Sequence, residues 1–306
     1  MSNEAPPTQR DGRPPGAAGR ESDVAFAVRV AAEAGDALLS LRDGGLQGRA
    51  LKDAGDAAAQ SVLAQSLAAA RPDDAVLSEE AADDRARLTA RRVWIIDPLD
   101  GTREYSEPGR SDWAVHVALW ADGELEAAAV ALPGLDVVLD TGSVPAPAPR
   151  DAGAPIRIAV SRTRAPALVQ HVAAAVGAEL VPMGSAGYKV SAVVRGEVDA
   201  YVHSGGQYEW DSAAPVAVAR AAGLHTSRVD GSELRYNAED VYLPDLLVCR
   251  SELAAELLAA IASAPAAEPA GDSGTPGHGT AHTIGSSTTA RGAAAPAAAG
   301  PQEGTP

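Results

Sequence analysis

Apolar positions recur with a regular period between residue 22 and about residue 263, and the period changes along the way. Asp23 stands as the N-cap of a first predicted helix, with Val24, Val28, Ala31, Leu38 and Leu41 on its apolar face. Gly44-Gly45 stops it. A second helix is predicted from near Asp56 to Ala70, with Val62, Leu63 and Leu67 on one face and Pro72 behind it. The pattern then turns to strands. Residues 75–77 form a short one, and Val93-Trp94-Ile95-Ile96 is a continuous apolar run, as in a strand buried on both faces. Residues 113–120 alternate, and further strands are expected at 127–132 and 135–140.

Residues 142–155, rich in Pro, Ala and Gly, read as a linker. Strands at 156–160, 178–182, 199–202 and 246–249 then alternate with helices at 165–176, 185–195, 211–222 and 252–262. This order predicts an α/β protein of stacked layers. Its N-terminal α+β subdomain (21–145) would carry the chemistry, and a C-terminal α/β subdomain (146–264) would follow. Residues 1–20 and 265–306 have no apolar period and read as a disordered lead and tail. His278 and His282 lie in that tail, where Gly277 and Gly279 argue against a helical metal pair.

Composition narrows the function. The chain has 306 residues and a formal net charge of −16, a field that repels nucleic-acid polymers and anionic membranes. A small anionic substrate is compatible only where bound cations invert the local sign. The single cysteine, Cys249, lies in the apolar run Leu246-Leu247-Val248-Cys249, reads as an inert core thiol and suits a reducing compartment, the cytoplasm. No signal core or membrane span is expected. His116 falls mid-strand and reads as a core histidine ahead of a catalytic base.

The segment Asp97-Pro98-Leu99-Asp100-Gly101-Thr102 follows a buried strand, so it is expected as a turn at the strand end. Pro98 stiffens it, Gly101 allows close backbone approach, and Thr102 brings a hydroxyl. Two carboxylates aimed at one spot repel unless a cation sits between them, and hard divalent cations prefer such oxygens. Read alone, the segment serves equally as a magnesium half-site or as an ordinary Asx turn. Glu79, in Ser78-Glu79-Glu80, would reach the same edge if strands 75–78 and 93–96 are neighbours. Asp211 is expected as a helix N-cap, a position that also favours anions.

Glu79-Glu80, then Trp94 to Thr102, then Trp210-Asp211-Ser212-Ala213-Ala214 resemble, in order, three motifs of the inositol monophosphatase superfamily. The resemblance spans about residues 22–263. It implies the αβαβα sandwich of the inositol monophosphatase and fructose bisphosphatase type. It also implies Glu79, Asp97 and the Leu99 carbonyl on a first magnesium ion, with Asp97, Asp100 and Asp211 on a second. Gly101 and Thr102 would hold the phosphate, and Thr102 with a carboxylate would orient the attacking water. Asp56 is similar to the residue of a third metal site at the head of its helix. The shorter approach Leu51 to Asp56 implies a shortened hairpin over the site. Lithium sensitivity follows from the same resemblance, as does occurrence as monomer or homodimer.

Within the superfamily, Arg103-Glu104, the segment Gly184-Ser185-Ala186-Gly187-Tyr188-Lys189 and the spacing from Asp199 to Asp211 resemble the CysQ-like 3′(2′),5′-bisphosphate nucleotidases of sulfur assimilation. Residues 185–189 and 203–209 would contact the rest of the substrate. Gly184, Ser185 and Lys189 are the named candidates, and Arg103 reads as solvated charge or a second-phosphate contact. Val202-His203-Ser204 stands where inositol enzymes place a glutamate. The implied activity is hydrolysis of 3′-phosphoadenosine 5′-phosphate and its 5′-phosphosulfate. The alternatives are a broad inositol or fructose 1,6-bisphosphate phosphatase and, outside enzymes, a metal- or nucleotide-binding regulator.

Overall fold

A computed structural model describes residues 21–163 and 165–265. The expectations for residues 1–20, for the tail from 266 and for His278 and His282 lie outside the described residues. Helices α1 (Asp23–Asp43) and α2 (Gly48–Ala70) precede a five-stranded sheet of β1 (Ala75–Ser78), β2 (Arg92–Asp100), β3 (Ala114–Ala121), β4 (Glu124–Leu132) and β5 (Val137–Asp140). The strands lie in chain order, with β1 parallel to β2 and the rest antiparallel. The short helix α3 (Thr102–Ser106) interrupts between β2 and β3.

The second sheet has the order β7-β6-β8-β10-β9. Its strands are β6 (Arg157–Ser161), β7 (Glu179–Met183), β8 (Ala200–Tyr208), β9 (His225–Ser227) and β10 (Tyr242–Cys249). Four helices belong with it: α4 (Ala167–Val176), α5 (Ala186–Val194), α6 (Glu209–Ala221) and α7 (Ala254–Ala262).

Strand alternation sends side chains to two different cores. On β2, Trp94 and Ile96 pack with Phe26, Leu38 and Leu63 of α1 and α2. Val93 and Ile95 pack instead with Val190 of α5 and Ala214 and Val218 of α6. The far side of the second sheet, with Ile158, Val202 and Leu247, is covered by Val169 of α4 and Leu257 of α7. The layers therefore run α, β, α, β, α, as expected. No helix among the described residues is long and apolar enough to cross a membrane.

Several local expectations are corrected. Ser22, not Asp23, caps α1: its Oγ accepts the Ala25 N–H at 3.2 Å, and Asp23 pairs with Arg71 at 3.0 Å. Helix α2 starts at Gly48, so Asp56 sits inside it and the approach to Asp56 is helix, not hairpin. Leu51, Gly55, Ala59, Leu63 and Leu67, spaced every fourth residue, supply the buried stripe. Strand β8 runs on to Tyr208 and passes directly into α6, and β9 had no strong apolar signal. Residues 133–135 form a single 3₁₀ turn before β5.

Candidate active site

The site forms where β2 ends. Asp97 to Asp100 are still strand, not the expected turn, and the β2–β3 register slips between Asp97 and Asp100. An irregularity of this kind re-aims side chains locally. Gly101 then takes φ +88°, and a side chain there would press on Ser185 Cβ at 2.9 Å. Only this bare, left-handed residue lets α3 begin against α5.

Asp97 is 1% exposed. Its Oδ1 accepts the Leu99 N–H at 3.0 Å, whereas Oδ2 is buried with no hydrogen-bond partner among the described residues. Burial, then the charges of Glu79, Asp100 and Asp211, hold its pKa well above the ordinary carboxylate range.

Asp100 has the opposite environment. It accepts from the Ser185 hydroxyl, from Ala186 N–H at 3.1 Å and from Gly187 N–H at 2.6 Å, at the N-terminus of α5. His116 Nε2 stands 3.3 Å from its Oδ2, an ionic contact rather than an aligned hydrogen bond. Burial opposes ionisation here, but His116, Ser185 and Gly187 prevail and hold the pKa at about 2. Asp211 is the third residue of α6, not its cap, and accepts the Tyr208 N–H at 2.6 Å. Burial, then the charge of Asp100, raises it to about 6. One carboxylate oxygen each from Asp97, Asp100 and Asp211 lies within 4.8 Å of the others.

Glu79, beyond the end of β1, is an exposed residue at the rim of this cluster. The surrounding protein and then the Asp211 charge raise it to about 7. Asp56 is half-buried on α2 near Thr102, and desolvation, then the Glu80 charge, raises it to about 7. The Thr102 hydroxyl also reaches the Leu99 carbonyl at 3.2 Å.

The substrate-side candidates separate. Lys189 is buried and its ammonium binds the carbonyls of Gly184 and Ser185, holding the α5 entry. Gly184 donates its N–H to Asp112 at 2.6 Å, and a Cβ there would meet Glu104 Cγ at 2.1 Å. Arg103 is exposed and pairs with Glu107 at 3.2 Å. A cavity of about 380 Å³ opens beside α5, lined by Ala186, Lys189, Tyr201, His203, Ser204 and Gln207.

His116 is a core histidine, as expected, but it also touches the carboxylate cluster. Its Nδ1 lies 3.0 Å from the Trp210 carbonyl, next to Asp211. The signal that could have found it is its cross-strand register with Asp97, which no local pattern reveals.

The donor set is all oxygen, one buried carboxylate oxygen lacks a partner, and three carboxylates carry pKa values raised in part by one another's charge. A hard divalent cation relieves each of these strains, so the residues fit such an ion.

Residues 20–266 match the profile of the inositol monophosphatase family. The chain is 54% identical over 254 residues to a 3′-phosphoadenosine 5′-phosphate phosphatase of Mycobacterium leprae, covering 78% of this chain and 93% of the relative. A 3′(2′),5′-bisphosphate nucleotidase CysQ of Escherichia coli is 29% identical over 233 residues, 70% of this chain and 94% of the relative. In structure, inositol monophosphatase II of Staphylococcus aureus superposes with TM-score 0.67 at 20% identity, over 76% of this chain and 91% of that chain. CysQ of Bacteroides thetaiotaomicron gives 0.65 at 24% identity, over 75% and 97%. At these identities the structural likeness establishes the αβαβα fold. The family profile over most of the chain, together with the relative at 54% identity, establishes that the chain belongs to the inositol monophosphatase family.

Proposed function

We propose that the protein is a magnesium-dependent 3′(2′),5′-bisphosphate nucleotidase. Its reaction is hydrolysis of 3′-phosphoadenosine 5′-phosphate to AMP and phosphate, and of the 5′-phosphosulfate in the same way. The observation that carries this reading is the cluster of buried Asp97 and Asp100 with half-buried Asp211, in which one Asp97 oxygen has no hydrogen-bond partner among the described residues. Relatives at 54–56% identity that are named 3′-phosphoadenosine 5′-phosphate phosphatases support the substrate.

Glu79, Asp97 and the Leu99 carbonyl would hold one magnesium ion, and Asp97, Asp100 and Asp211 a second. Asp56 is the carboxylate available to a third. When bound, the ions supply Lewis-acid stabilisation of the phosphoryl and leaving oxygens and lower the pKa of water. Backbone N–H groups of Gly101 and Thr102 hold the phosphate. The Thr102 hydroxyl, held at the Leu99 carbonyl, would orient the attacking water, and Asp56 or Glu79 would accept its proton. The cavity beside α5 admits the ribose and 5′-phosphate side of the substrate. The segment Val202-His203-Ser204, where inositol enzymes place a glutamate, disfavours inositol phosphate. The reading places the enzyme in the cytoplasm, as monomer or homodimer, with lithium as an inhibitor.

The test is phosphate release from a panel of 3′-phosphoadenosine 5′-phosphate, inositol 1-phosphate and fructose 1,6-bisphosphate, with magnesium, with EDTA and with added lithium. The nucleotide is expected to have the highest kcat/KM. A higher kcat/KM for inositol 1-phosphate or fructose 1,6-bisphosphate contradicts the assigned substrate, and no turnover of any of them contradicts the assignment as a whole.

A further inference from the structure

We infer that an exposed aromatic corner made by Tyr208 and Tyr242 binds the purine ring of the nucleotide substrate. Among the described residues the exposed large hydrophobic side chains are Leu46, Leu88, Tyr208 and Tyr242. The two tyrosines are neighbours: their ring centroids are 6.1 Å apart and their planes meet at 77°. Such a corner offers a ring face and a ring edge to a flat ligand, the two arrangements aromatic pairs prefer.

The corner is held in place from both sides. Tyr208 stacks on Trp210 at 4.9 Å with planes 15° apart. The phenol end of Tyr242 lies over Gly206, where a Cβ would meet its hydroxyl at 2.3 Å. Gly206 takes φ +91°, so the strand curls beneath that ring only because the residue is glycine.

Its position ties it to the chemistry. Tyr208 is the residue whose backbone N–H holds Asp211 at 2.6 Å. The Tyr208 main chain thus lies against the cluster, and the inference places its ring on the leaving-group side of a phosphate ester bound beside Asp211. The cavity beside α5 offers less for this contact: Tyr201 is only 2% exposed, and His203 is half-buried with its ring nitrogens 3.2 Å from the Tyr201 hydroxyl and 3.0 Å from the Gly206 carbonyl. In a chain of net charge −16, a neutral base gains more from stacking than an anionic group gains from the general field.

The inference rests on the nucleotide reading of the site, and its test separates the two. kcat/KM is measured for 3′-phosphoadenosine 5′-phosphate and for glycerol 2-phosphate, which has no ring, and their ratio is the readout. In Tyr208→Ala and in Tyr242→Ala the ratio is expected to fall on the order of tenfold or more, mainly through KM for the nucleotide. Tyr208→Phe, which keeps the ring, retains the wild-type ratio. An unchanged ratio in both alanine variants overturns the inference and leaves the nucleotide reading standing. A wild-type enzyme with no preference for the nucleotide overturns that reading and this inference with it, before any variant is made. Tyr242 lies on β10, away from the Tyr208–Asp211 backbone contact, so its variant decides the matter if Tyr208→Ala does not fold.

Discussion

His116 Nε2 lies 3.3 Å from Asp100 Oδ2 while its Nδ1 lies 3.0 Å from the Trp210 carbonyl. Both neighbours are acceptors, so both ring nitrogens are best occupied by protons, and the pKa of His116 is raised despite complete burial. The carboxylate cluster thus has a counter-charge of its own whenever the His116 ring is protonated. Removing it leaves Asp100 buried with less compensation. His116→Leu is expected to lower stability by about 3 kcal/mol, the scale for breaking a buried pair. Urea unfolding in EDTA measures this, and added magnesium should recover part of the loss.

Gly187 is required by the same histidine. A Cβ at this position would lie 1.9 Å from His116 Nε2. Gly187→Ala must therefore displace the imidazole from Asp100. It is expected to cost about 1–3 kcal/mol, as overpacking does, and to reduce phosphate release. Thermal unfolding and steady-state kinetics check both parts.

Metal-free protein should lose stability as pH rises. Glu79 and Asp56 have folded pKa values of about 7 and Asp211 about 6, against about 4 in the unfolded chain. Between those limits the folded state holds protons the unfolded state has released, so stability falls with rising pH. In EDTA, Tm is expected to drop between pH 5 and pH 7.5. Magnesium at pH 7.5 should raise it, because the cation replaces the protons.

Asp56 and Thr102 are assigned to the attacking water. Asp56→Asn and Thr102→Ala should each lower kcat by about 10²-fold or more, the lower end of general acid–base contributions. KM should change less. Pre-steady-state phosphate release distinguishes a slowed chemical step from slowed product release.

Much of this site was legible in the sequence because its parts are local. The apolar run before Asp97, Pro98 and Gly101 marked a strand end carrying two carboxylates, and Asp211 stood next to a helix start. What escaped depends on distant partners. The first two turns of α2 were hidden because their buried face carries only Leu51 and Gly55, beside charged Lys52, Asp53 and Asp56. Gly55, a poor helix former, is there because a Cβ would meet the Tyr105 ring at 2.7 Å. The approach of His116 to Asp100 depends on β2–β3 register and on the bare Cα of Gly187 from another layer. Lys189 looked free for substrate, and only the fold shows its ammonium bound to two backbone carbonyls.

The account depends most on Asp97, whose buried Oδ2 has no hydrogen-bond partner among the described residues. Phosphate release from 3′-phosphoadenosine 5′-phosphate by wild type and by Asp97→Asn, with magnesium and with EDTA, tests it most directly. The account predicts magnesium-dependent turnover by wild type, its loss in EDTA, and no turnover by a folded Asp97→Asn protein. Undiminished wild-type hydrolysis in EDTA, or near-normal hydrolysis by folded Asp97→Asn, would contradict it.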